Sequence, residues 1–405
     1  MAGKRRTRNT KYRRKTRNRR MNAQERQMQL IRRGVVMVLA LCVVLLGVMI
    51  IQGKRGGEVS DVAQPQGETE GKTKEKAEDL EATPTQEATA TPTAEPMADV
   101  SIKISAIGDC TLGSDKDFEK STSFDTMYAN VGGPSYFFRK VKDVLAEDDL
   151  TIANVEGPLT TSEDEQEKEF AFRGKPEYAE ILKEGSVEAA NLANNHSYDY
   201  GEQGFSDTVT NLEAAGISTF GYDTAIVKEV KGVKVGLVGI YVLKDEMGRV
   251  PQLKEKIAEV KEAGAQVVVV SFHWGAEKAN YPNRVQQDLG HMAVDEGADL
   301  VIGHHPHVLQ GIEKYKGKNI VYSLGNFCFG GNSNPSDKDT MIFQQTFTIQ
   351  NGTVVADDNT NIIPCSISSE NWYNNYQPAV LEGSEKVRVE NRIKEYSEGI
   401  GTSNE

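Results

Sequence analysis

A layered α/β fold with largely parallel strands is predicted for the chain from residue 99 onward, and three observations predict it. Short apolar runs typical of strands recur along this part of the sequence. Helical apolar patterns lie between several of these runs, which favours strand–helix–strand units. Near the end, Asn351-Gly352 separates two strand-like runs and indicates a hairpin, so we expect a mixed sheet system.

The predicted elements follow one another in chain order. The predicted strands are Val100–Ile107, Leu150–Val155, Val187–Leu192, Val233–Ile240, Val267–Phe272, Leu300–Ile302, Ile320–Leu324, Met341–Ile349 and Gly352–Ile363. The predicted helices are Tyr136–Ala146, Glu177–Lys183, Phe205–Ala215, Lys254–Ala263 and Arg284–Glu296. We expect one domain over residues 99–370, followed by a peripheral tail over 371–405 with one charged helix.

Charge is distributed unevenly along the chain. Residues 1–33 contain fourteen Lys and Arg against Glu25 alone, a net charge of +13. Since the whole chain carries −12, residues 34–405 carry −25. A basic N-terminal segment on an otherwise acidic chain indicates a signal for membrane topology and argues against a nucleic-acid binder.

A transmembrane anchor is predicted over residues 34–51. Gly34–Ile51 is a run of eighteen uncharged, almost wholly apolar residues, and Arg32, Arg33 and Lys54 flank it. This length suffices for a membrane helix with snorkelling ends. A cleaved signal peptide is the alternative, but its apolar region would be shorter. Because the basic flank stays inside, we expect a cytoplasmic arm over 1–33 and an extracellular domain on a single-pass membrane protein.

Residues 52–98 are predicted to form a disordered linker. The segment is rich in Glu, Thr, Lys, Ala, Pro and Gln and lacks aromatic residues and His. Such a composition cannot bury enough apolar surface to offset the entropy lost on ordering. We expect a stalk that carries the domain away from the membrane.

Polar side chains collect where predicted strands end. The ligands of layered α/β proteins bind at the carboxyl ends of the strands, so we expect these side chains to share one rim. Carboxylate, amide and imidazole groups together suit Mn²⁺, Zn²⁺ or Fe²⁺, as one ion or two. His291 lies within a predicted helix and is expected to be structural. The strand-end residues are Asp109, Asn154, Glu156, Asn195, His196, His273, His304, His305 and His307.

The cysteines leave two alternatives open. Cys42 lies in the predicted membrane helix, and Cys110, Cys328 and Cys365 lie beyond it. Three cysteines cannot form a complete disulfide framework. A Cys110–Cys328 disulfide is one possibility, and free buried thiols are the other.

The ordered set of motifs resembles the CapA family of capsule and poly-γ-glutamate synthesis proteins. The motifs are Gly-Asp, Asn-x-Glu-Gly-Pro, Ala-Asn-Asn-His-x-x-Asp-x-Gly, Phe-His-Trp-Gly, Gly-His-His-Pro-His-Val-Leu-Gln-Gly and Tyr-Ser-Leu-Gly-Asn-Phe, spread over about Val100–Ile363. The resemblance implies a calcineurin-like metallophosphoesterase fold, a four-layer αββα sandwich. It also implies a role in the synthesis, export or anchoring of an envelope polymer.

The resemblance also implies roles for individual residues. The metal ligands would be Asp109, Glu156, Asn195, His273, His305 and His307, with His304 as an alternative partner. His196 would be catalytic, with Asp199 fixing its imidazole. Substrate-binding candidates are Asn154, Arg173, His304 and Asn326. Two departures stand out: Thr111 replaces the usual histidine of an Asp-x-His motif, and Glu156 replaces a bridging aspartate.

Three functional hypotheses follow. The first is a metal-dependent hydrolase that acts on an anionic envelope polymer or its phosphorylated precursor, with His196 protonating the leaving oxygen. The second is a non-catalytic factor that binds the polymer or membrane synthase subunits, and the missing histidine at Thr111 motivates it. The third is an extracellular sensor on a stalk. The expected partners are the polymer, the synthase subunits and the lipid bilayer, with no nucleic acid.

Overall fold

The computed structural model describes residues 99–400 of the chain. The predicted arm, membrane run and linker, as well as Cys42, lie outside the described residues. The strands of this part are β1 Val100–Thr111, β2 Ser114–Asp115, β3 Leu150–Val155, β4 Phe172–Arg173, β5 Ala189–Asn191, β6 Ser218–Phe220, β7 Ile226–Val230, β8 Val233–Tyr241, β9 Val267–His273, β10 Leu300–His304, β11 Ile312–Tyr315, β12 Lys318–Val321, β13 Asn326–Phe329, β14 Asp339–Gln350, β15 Thr353–Ser366 and β16 Ala379–Val380.

The helices lie mostly between these strands. The α-helices are α1 Phe124–Val131, α2 Ser135–Phe138, α3 Lys142–Leu145, α4 Ala179–Glu184, α5 Gly201–Ala214, α6 Val250–Glu262, α7 Arg284–Glu296 and α8 Gly383–Glu398. Short 3₁₀ turns occur at Lys120–Thr122, Pro176–Tyr178 and Glu246–Arg249. Within residues 99–400, every helix is too short or too polar to cross a bilayer.

Two mixed sheets carry most of the strands. In the larger sheet the order is β16-β15-β14-β1-β3-β5-β6, and β13 also pairs with the end of β1. In the smaller sheet the order is β11-β12-β10-β9-β8-β7. The neighbours β1, β3, β5 and β6 run parallel, as do β8, β9, β10 and β12. The predicted α/β class with largely parallel strands is confirmed.

Three apolar clusters show how the sheets and helices pack. One cluster joins the facing sides of the two sheets, with Ile104 and Ile152 of the larger sheet beside Val269 and Ile302 of the smaller one. A second joins the other side of the larger sheet to α1–α5. A third joins the other side of the smaller sheet to α6 and α7. Each sheet therefore packs against the other sheet on one side and against helices on the other.

The two long strands near the end of the described chain form the hairpin that Asn351-Gly352 predicts. β14 and β15 pair antiparallel from Asp339↔Ser366 to Gln350↔Thr353. Asn351 has a φ of 51° and Gly352 a φ of 80°, the left-handed conformations that a tight turn requires. The hairpin joins the larger sheet through β14, which pairs antiparallel with β1.

The segment after residue 370 differs from the peripheral tail that we expected. β16 pairs with β15, and Tyr376 is buried in the cluster beneath the larger sheet. Val389 and Ile393 of α8 belong to the cluster between the two sheets. Arg388 and Arg392 also bind Asp339 at the start of β14. The apolar side chains of α8 need burial, and the open edge between the sheets provides it.

The remaining differences from the predicted elements concern lengths and ends. The predicted helix Tyr136–Ala146 consists of two short helices, α2 and α3, and the predicted strand Val187–Leu192 is only β5. All three described cysteines are free, buried thiols. Burial raises the pKa of Cys110 to about 12 and that of Cys328 well above its usual value. The free-thiol alternative therefore describes this structure.

Candidate metal centre

Side chains from five strand ends meet at one edge of the two sheets. The potential ligand atoms form two groups, and within each group all the atoms lie within 4.8 Å of one another. Glu156, His305 and His307 form one group, and Asp109, Glu156 and His273 form the other. Glu156 belongs to both groups. A carboxylate shared by two sets of ligands is the arrangement that a pair of bridged metal ions uses.

Asp109, near the end of β1, is buried and held from several sides. Its Oδ1 accepts a hydrogen bond of 2.9 Å from Nδ2 of Asn154, and its Oδ2 accepts one of 3.3 Å from the backbone N–H of His305. Nδ1 of His307 lies 3.1 Å from Oδ2. Burial opposes ionisation, but His304 and His307 outweigh it and hold the pKa of Asp109 well below its usual value.

Glu156, directly after β3, is the centre of the cluster. Its Oε1 lies 3.8–3.9 Å from the Nε2 atoms of His196, His273 and His307. Both of its carboxylate oxygens are buried, and neither has a hydrogen-bond partner among residues 99–400. Burial raises the pKa of Glu156 to about 8, and the charge of Asp109 acts in the same direction. A buried carboxylate without donors is costly unless a cation compensates it.

His305 and His307 follow β10 in an unusual backbone conformation. Their φ angles are 95° and 58°, in the left-handed region that non-glycine residues seldom adopt. Burial lowers the pKa of His305 to about 4, with the charge of His307 adding to it. Burial opposes protonation of His307 too, but Glu156 and Asp109 raise its pKa to about 9. This local strain turns both imidazoles toward the two carboxylates.

Gly303 permits the close approach of strands just before these histidines. A Cβ atom at this position would lie 1.9 Å from the carbonyl oxygen of Tyr322 and 2.5 Å from Nε1 of Trp274. That Nε1 donates a 2.9 Å hydrogen bond to the same carbonyl. Only glycine fits here, so the motif Gly-His-His-Pro-His has a packing reason for its first residue.

His273 ends β9 and contacts the amide of Asn195. Its Nε2 lies 2.6 Å from Oδ1 of Asn195, and its Nδ1 lies 3.5 Å from Nδ2 of Asn154. Burial holds the pKa of His273 well below its usual value, with the neighbouring His305 adding to the effect. Because an amide oxygen only accepts, the neutral imidazole donates its Nε2–H to Asn195, and loss of that proton would free both atoms as ligands.

His196 is held by a carboxylate and a lysine. Its Nδ1 lies 2.7 Å from Oδ2 of Asp199, and Nζ of Lys168 lies 2.5 Å from Oδ1 of the same aspartate. Phe172 donates its backbone N–H to Asp199 and packs its ring 4.5 Å from that of His196. Burial lowers the pKa of His196 even though Asp199 opposes the shift. With Nδ1 donating to Asp199, Nε2 faces Glu156 with a free lone pair.

Three asparagines form a buried amide network behind the cluster. Oδ1 of Asn154 accepts hydrogen bonds from Nδ2 of Asn191 at 3.1 Å and from Nδ2 of Asn194 at 3.3 Å. Asn154 in turn donates to Asp109, so the network orients that carboxylate. The sequence motifs do not indicate a role for Asn191, Asn194 or Lys168. The strand-end position of Asn191 was an available signal, whereas Lys168 lies in an acidic run without any periodic pattern.

Two of the predicted substrate-binding residues and Thr111 lie around the cluster, and Arg173 lies apart from it. Asn326 contacts Nδ1 of His307 through its Oδ1 at 2.9 Å. His304 is buried behind Asp109, with its Nδ1 3.3 Å from Oδ1 of Asp109 but without hydrogen-bond alignment. Thr111 is buried near Asp109, and its Oγ1 has no partner among the described residues. Arg173 points elsewhere and stacks on the ring of Tyr200.

The donor set fits a divalent metal ion. Two carboxylates, an amide oxygen and imidazoles form a mixed N/O set, which suits Mn²⁺, Zn²⁺ or Fe²⁺. The unpartnered, buried atoms of Glu156 and Nδ1 of His305 are groups that a bound cation would satisfy. The residues that the sequence predicts as ligands thus lie together, as a metal site requires.

Comparisons with known proteins agree with the motif set. Residues 103–331 match the family described as bacterial capsule synthesis protein PGA_cap. This chain belongs to that family. The stretch matched by the family runs from β1 to just after β13 and includes every residue of the cluster.

Curated relatives extend this finding. The chain is 32% identical to the capsule biosynthesis protein CapA of Bacillus anthracis over 58% of its length and 62% of that protein. It is 33% identical to the PGA biosynthesis protein CapA of Bacillus subtilis over 59% of its length and 66% of that protein. A probable polyglutamine synthesis accessory protein of Mycobacterium tuberculosis is 28% identical over 44% of this chain and 55% of its own. The chain spans less than two thirds of each relative.

Proposed function

We propose that this protein acts in the synthesis of a capsule polymer of the poly-γ-glutamate type and that its strand-end cluster binds divalent metal for that role. The observation that carries the proposal is the buried carboxylate of Glu156, which has three imidazoles around it and no hydrogen-bond donor among residues 99–400. The names of the relatives support the polymer class.

Metal would be held by Asp109, Glu156 and His273 in one group and by Glu156, His305 and His307 in the other, with Asn195 beside them. A divalent ion there supplies Lewis-acid stabilisation of negative charge on the oxygens of a phosphate or carboxyl derivative. Asp109 is fixed by Asn154, and the strained backbone after β10 fixes the two histidines. The chain's own contribution is a preorganised set of ligands.

His196 supplies the proton chemistry in this proposal. Asp199 accepts the Nδ1 proton and so fixes the ring, while Nε2 faces the cluster. A ring held in this way accepts a proton at Nε2 and returns it to a leaving oxygen. Phe172 covers one side of the imidazole and excludes water from it. The proposed reaction is hydrolysis or transfer at a phosphate ester or polymer linkage.

The location of the protein is a further part of the proposal. An anchor over residues 34–51 with an extracellular domain would place the cluster where an exported polymer emerges. The eighteen-residue apolar run and its basic flank support this location. Synthase subunits in the same membrane would then be the partners.

The test is metal binding by the full-length protein with matched histidine variants. We expect His305→Ala and His307→Ala to lower the affinity for Mn²⁺ or Zn²⁺ at least about 100-fold. His291→Ala is the control, because its ring contacts Glu313 and Tyr315 on the far side of the smaller sheet. Equal metal binding by all three variants would refute the metal site, and a deletion strain with normal capsule would refute the role in its synthesis.

A non-catalytic accessory role is the second candidate, and one observation favours it. Thr111 stands where metallophosphoesterases carry a histidine, and its Oγ1 contacts no polar partner among residues 99–400. A metal pair with one imidazole fewer binds less tightly. If His196→Ala restores full capsule to a deletion strain while the His307→Ala variant does not, binding without proton transfer is the function.

A further inference from the structure

A second cavity lies apart from the metal cluster, on the other side of the short ladder β2–β4. It has a volume of about 340 Å³, within the range of small-ligand sites. Ser114, Arg173 and Tyr200 are among its lining residues. Phe172 and Arg173 are neighbours on β4, so their side chains point to opposite faces of the strand. Phe172 faces His196, and Arg173 faces the cavity.

Arg173 is held in place but has no counter-ion. Its guanidinium carbon lies 4.8 Å from the centre of the buried Tyr200 ring, and its Nη1 donates a 2.6 Å hydrogen bond to the carbonyl oxygen of Ser162. No carboxylate of the described chain forms an ion pair with it. A stacked guanidinium with free N–H groups is preorganised for a bidentate anion.

The other charged groups that line the cavity do not neutralise Arg173. Lys120 is exposed and forms no ion pair within residues 99–400, whereas Lys116 binds Glu165 at 2.6 Å. Asp115 accepts hydrogen bonds from the backbone N–H groups of Asp117 and Ala171, so both its oxygens are engaged.

Asp125 is occupied as well, since its Oδ1 accepts a hydrogen bond from the hydroxyl group of Tyr178. The cavity lining therefore carries Lys116, Lys120 and Arg173 against Asp115 and Asp125. Because Lys116 is already paired with Glu165, Lys120 and Arg173 are the two cations of the lining that remain for an anionic ligand.

A row of packed aromatic rings lies between this cavity and the metal cluster. Phe118 lines the cavity, and its ring centre lies 6.3 Å from that of Phe172, which in turn contacts His196. Phe118 also lines a neighbouring cavity of about 390 Å³, which Phe170 and Gly331 border. A ligand that contacts both the cluster and Arg173 would have to extend past these rings.

We infer that the cavity around Arg173 and Lys120 binds a side carboxylate of a linear acidic polymer whose reacting group lies at the metal cluster. This inference rests on the proposed function, because it takes the polymer class from there. The inferred contact would hold an anionic chain on a protein that is itself acidic. The second contact point selects for chains over monomers.

The test is binding of a short γ-linked oligoglutamate to the full-length protein in the presence of a chelator. We expect Arg173→Met to weaken binding about tenfold, because a charge-assisted hydrogen bond is lost. Lys120→Gln should weaken it about threefold at most, as for an exposed ion pair. Arg139→Met is the matched control, since Arg139 stacks on Tyr136 away from the cavity. Its affinity should equal that of the unmodified protein.

Three outcomes would overturn the inference. Unchanged affinity in both Arg173→Met and Lys120→Gln would do so, and the exposed Lys120 keeps the test valid if the Arg173 variant does not fold. Equal binding of a γ-linked glutamine oligomer would remove the carboxylate from the argument. Displacement of oligoglutamate by inorganic phosphate, lost in Arg173→Met, would make the cavity a phosphate site instead.

The two proposals fail separately. A Mn²⁺ titration of the same variants should give the affinity of the unmodified protein, because Arg173 and Lys120 lie outside the cluster. Loss of oligoglutamate binding with intact metal binding supports the anion cavity alone. Absence of metal binding in every variant would refute the metal centre, and the binding measurement on the cavity would remain valid.

Discussion

Oε1 of Glu156 lies 3.8 Å from Nε2 of His307, and both oxygens of this carboxylate are buried without a hydrogen-bond donor from residues 99–400. This pair lies at the centre of the cluster, because Glu156 belongs to both groups of potential ligands. An interaction made by a buried, unsolvated carboxylate is worth far more than the same contact in water. The consequences of removing its charge are therefore measurable.

Glu156→Gln should abolish metal-dependent stabilisation. At a metal concentration of about 100 times Kd, the unmodified protein should gain about 2.7 kcal/mol in its free energy of unfolding. The variant should gain nothing, because a neutral amide lacks the negative charge that would compensate a bound cation. In metal-free buffer its stability should stay within about 1 kcal/mol of the unmodified protein, because no hydrogen bond is lost. Denaturant titrations with and without Mn²⁺ measure both quantities.

The control for this experiment is Glu390→Gln, which changes an exposed carboxylate on α8. It should keep the full metal-dependent gain. A Glu156→Gln protein that responds to metal as strongly as the control would show that the cluster is not the binding site.

Asp199→Asn should separate metal binding from proton transfer. The carboxylate fixes the His196 ring without belonging to either group of potential ligands, so metal content should be unchanged. Hydrolysis of a phosphodiester substrate by the metal-loaded protein should fall about 10–100-fold, the usual cost of losing such an orienting partner. Lys168→Met should lower it less, since Lys168 contacts Asp199 and Nδ1 of His196 but not Nε2, the atom that faces the cluster.

Lys183→Met is the matched control for Lys168→Met. Lys183 forms an exposed ion pair with Glu180 on α4. It should leave the rate unchanged. If the Lys168 and Lys183 variants behave alike, the lysine near His196 is only a solvated surface charge.

Val389→Ala should destabilise the protein although it lies in the segment expected to be peripheral. Val389 is 0% exposed in the cluster between the sheets, and its loss should cost about 2 kcal/mol from transfer and cavity formation. Val387→Ala on the same helix is the control, because Val387 is 53% exposed and should change stability by about 0.5 kcal/mol at most. Urea denaturation of both variants checks this, and equal midpoints would mean that α8 does not stabilise the fold.

Asp148 should make stability fall as the pH rises. Burial raises its pKa to about 6, with Glu188 and Asp149 adding to the effect. Because the pKa is higher in the folded protein than in the unfolded chain, this contribution is fully present below about pH 4 and is lost as the pH rises to about 6. Asp148→Asn should therefore stabilise the protein at pH 7 by up to about 3 kcal/mol, at about 1.4 kcal/mol per pKa unit, and have little effect at pH 4.

Asp143→Asn, an exposed carboxylate on α3, is the control for this pH series. The difference in unfolding free energy between Asp148→Asn and the unmodified protein should grow between pH 4 and pH 6. A difference that does not vary with pH would mean that Asp148 ionises as it does in the unfolded chain.

The sequence predicts the residues of the metal cluster better than it predicts the loops and the cavity around them. The cluster follows from a topological rule, since parallel strands bring their carboxyl ends to one edge, and Asp109, Glu156 and His273 each end or follow such a strand. The hairpin follows from local turn chemistry at Asn351-Gly352. Neither Lys168 nor the cavity around Arg173 follows from any periodic pattern, because their contacts depend on how two irregular loops pack.

The helix α8 shows the same limit of prediction from sequence patterns. The burial of α8 could not be predicted, because its sequence is highly charged and only Val389 and Ile393 are wholly buried. The site for these two side chains exists only after both sheets have formed. Periodicity describes which face of a helix is apolar, but it does not say whether the remaining structure leaves an opening for that face.

The central position of β1 sets the order in which the chain can assemble. β1 pairs on one side with β3, which follows soon after it, and on the other with β14, where Ser101 contacts Thr348 at a sequence separation of 247. Closing so long a loop is entropically unfavourable and slow. A polypeptide that emerges stepwise during synthesis would therefore expose one unpaired edge of β1 until β14 has appeared. A chaperone that captures the nascent chain would find its target at this edge.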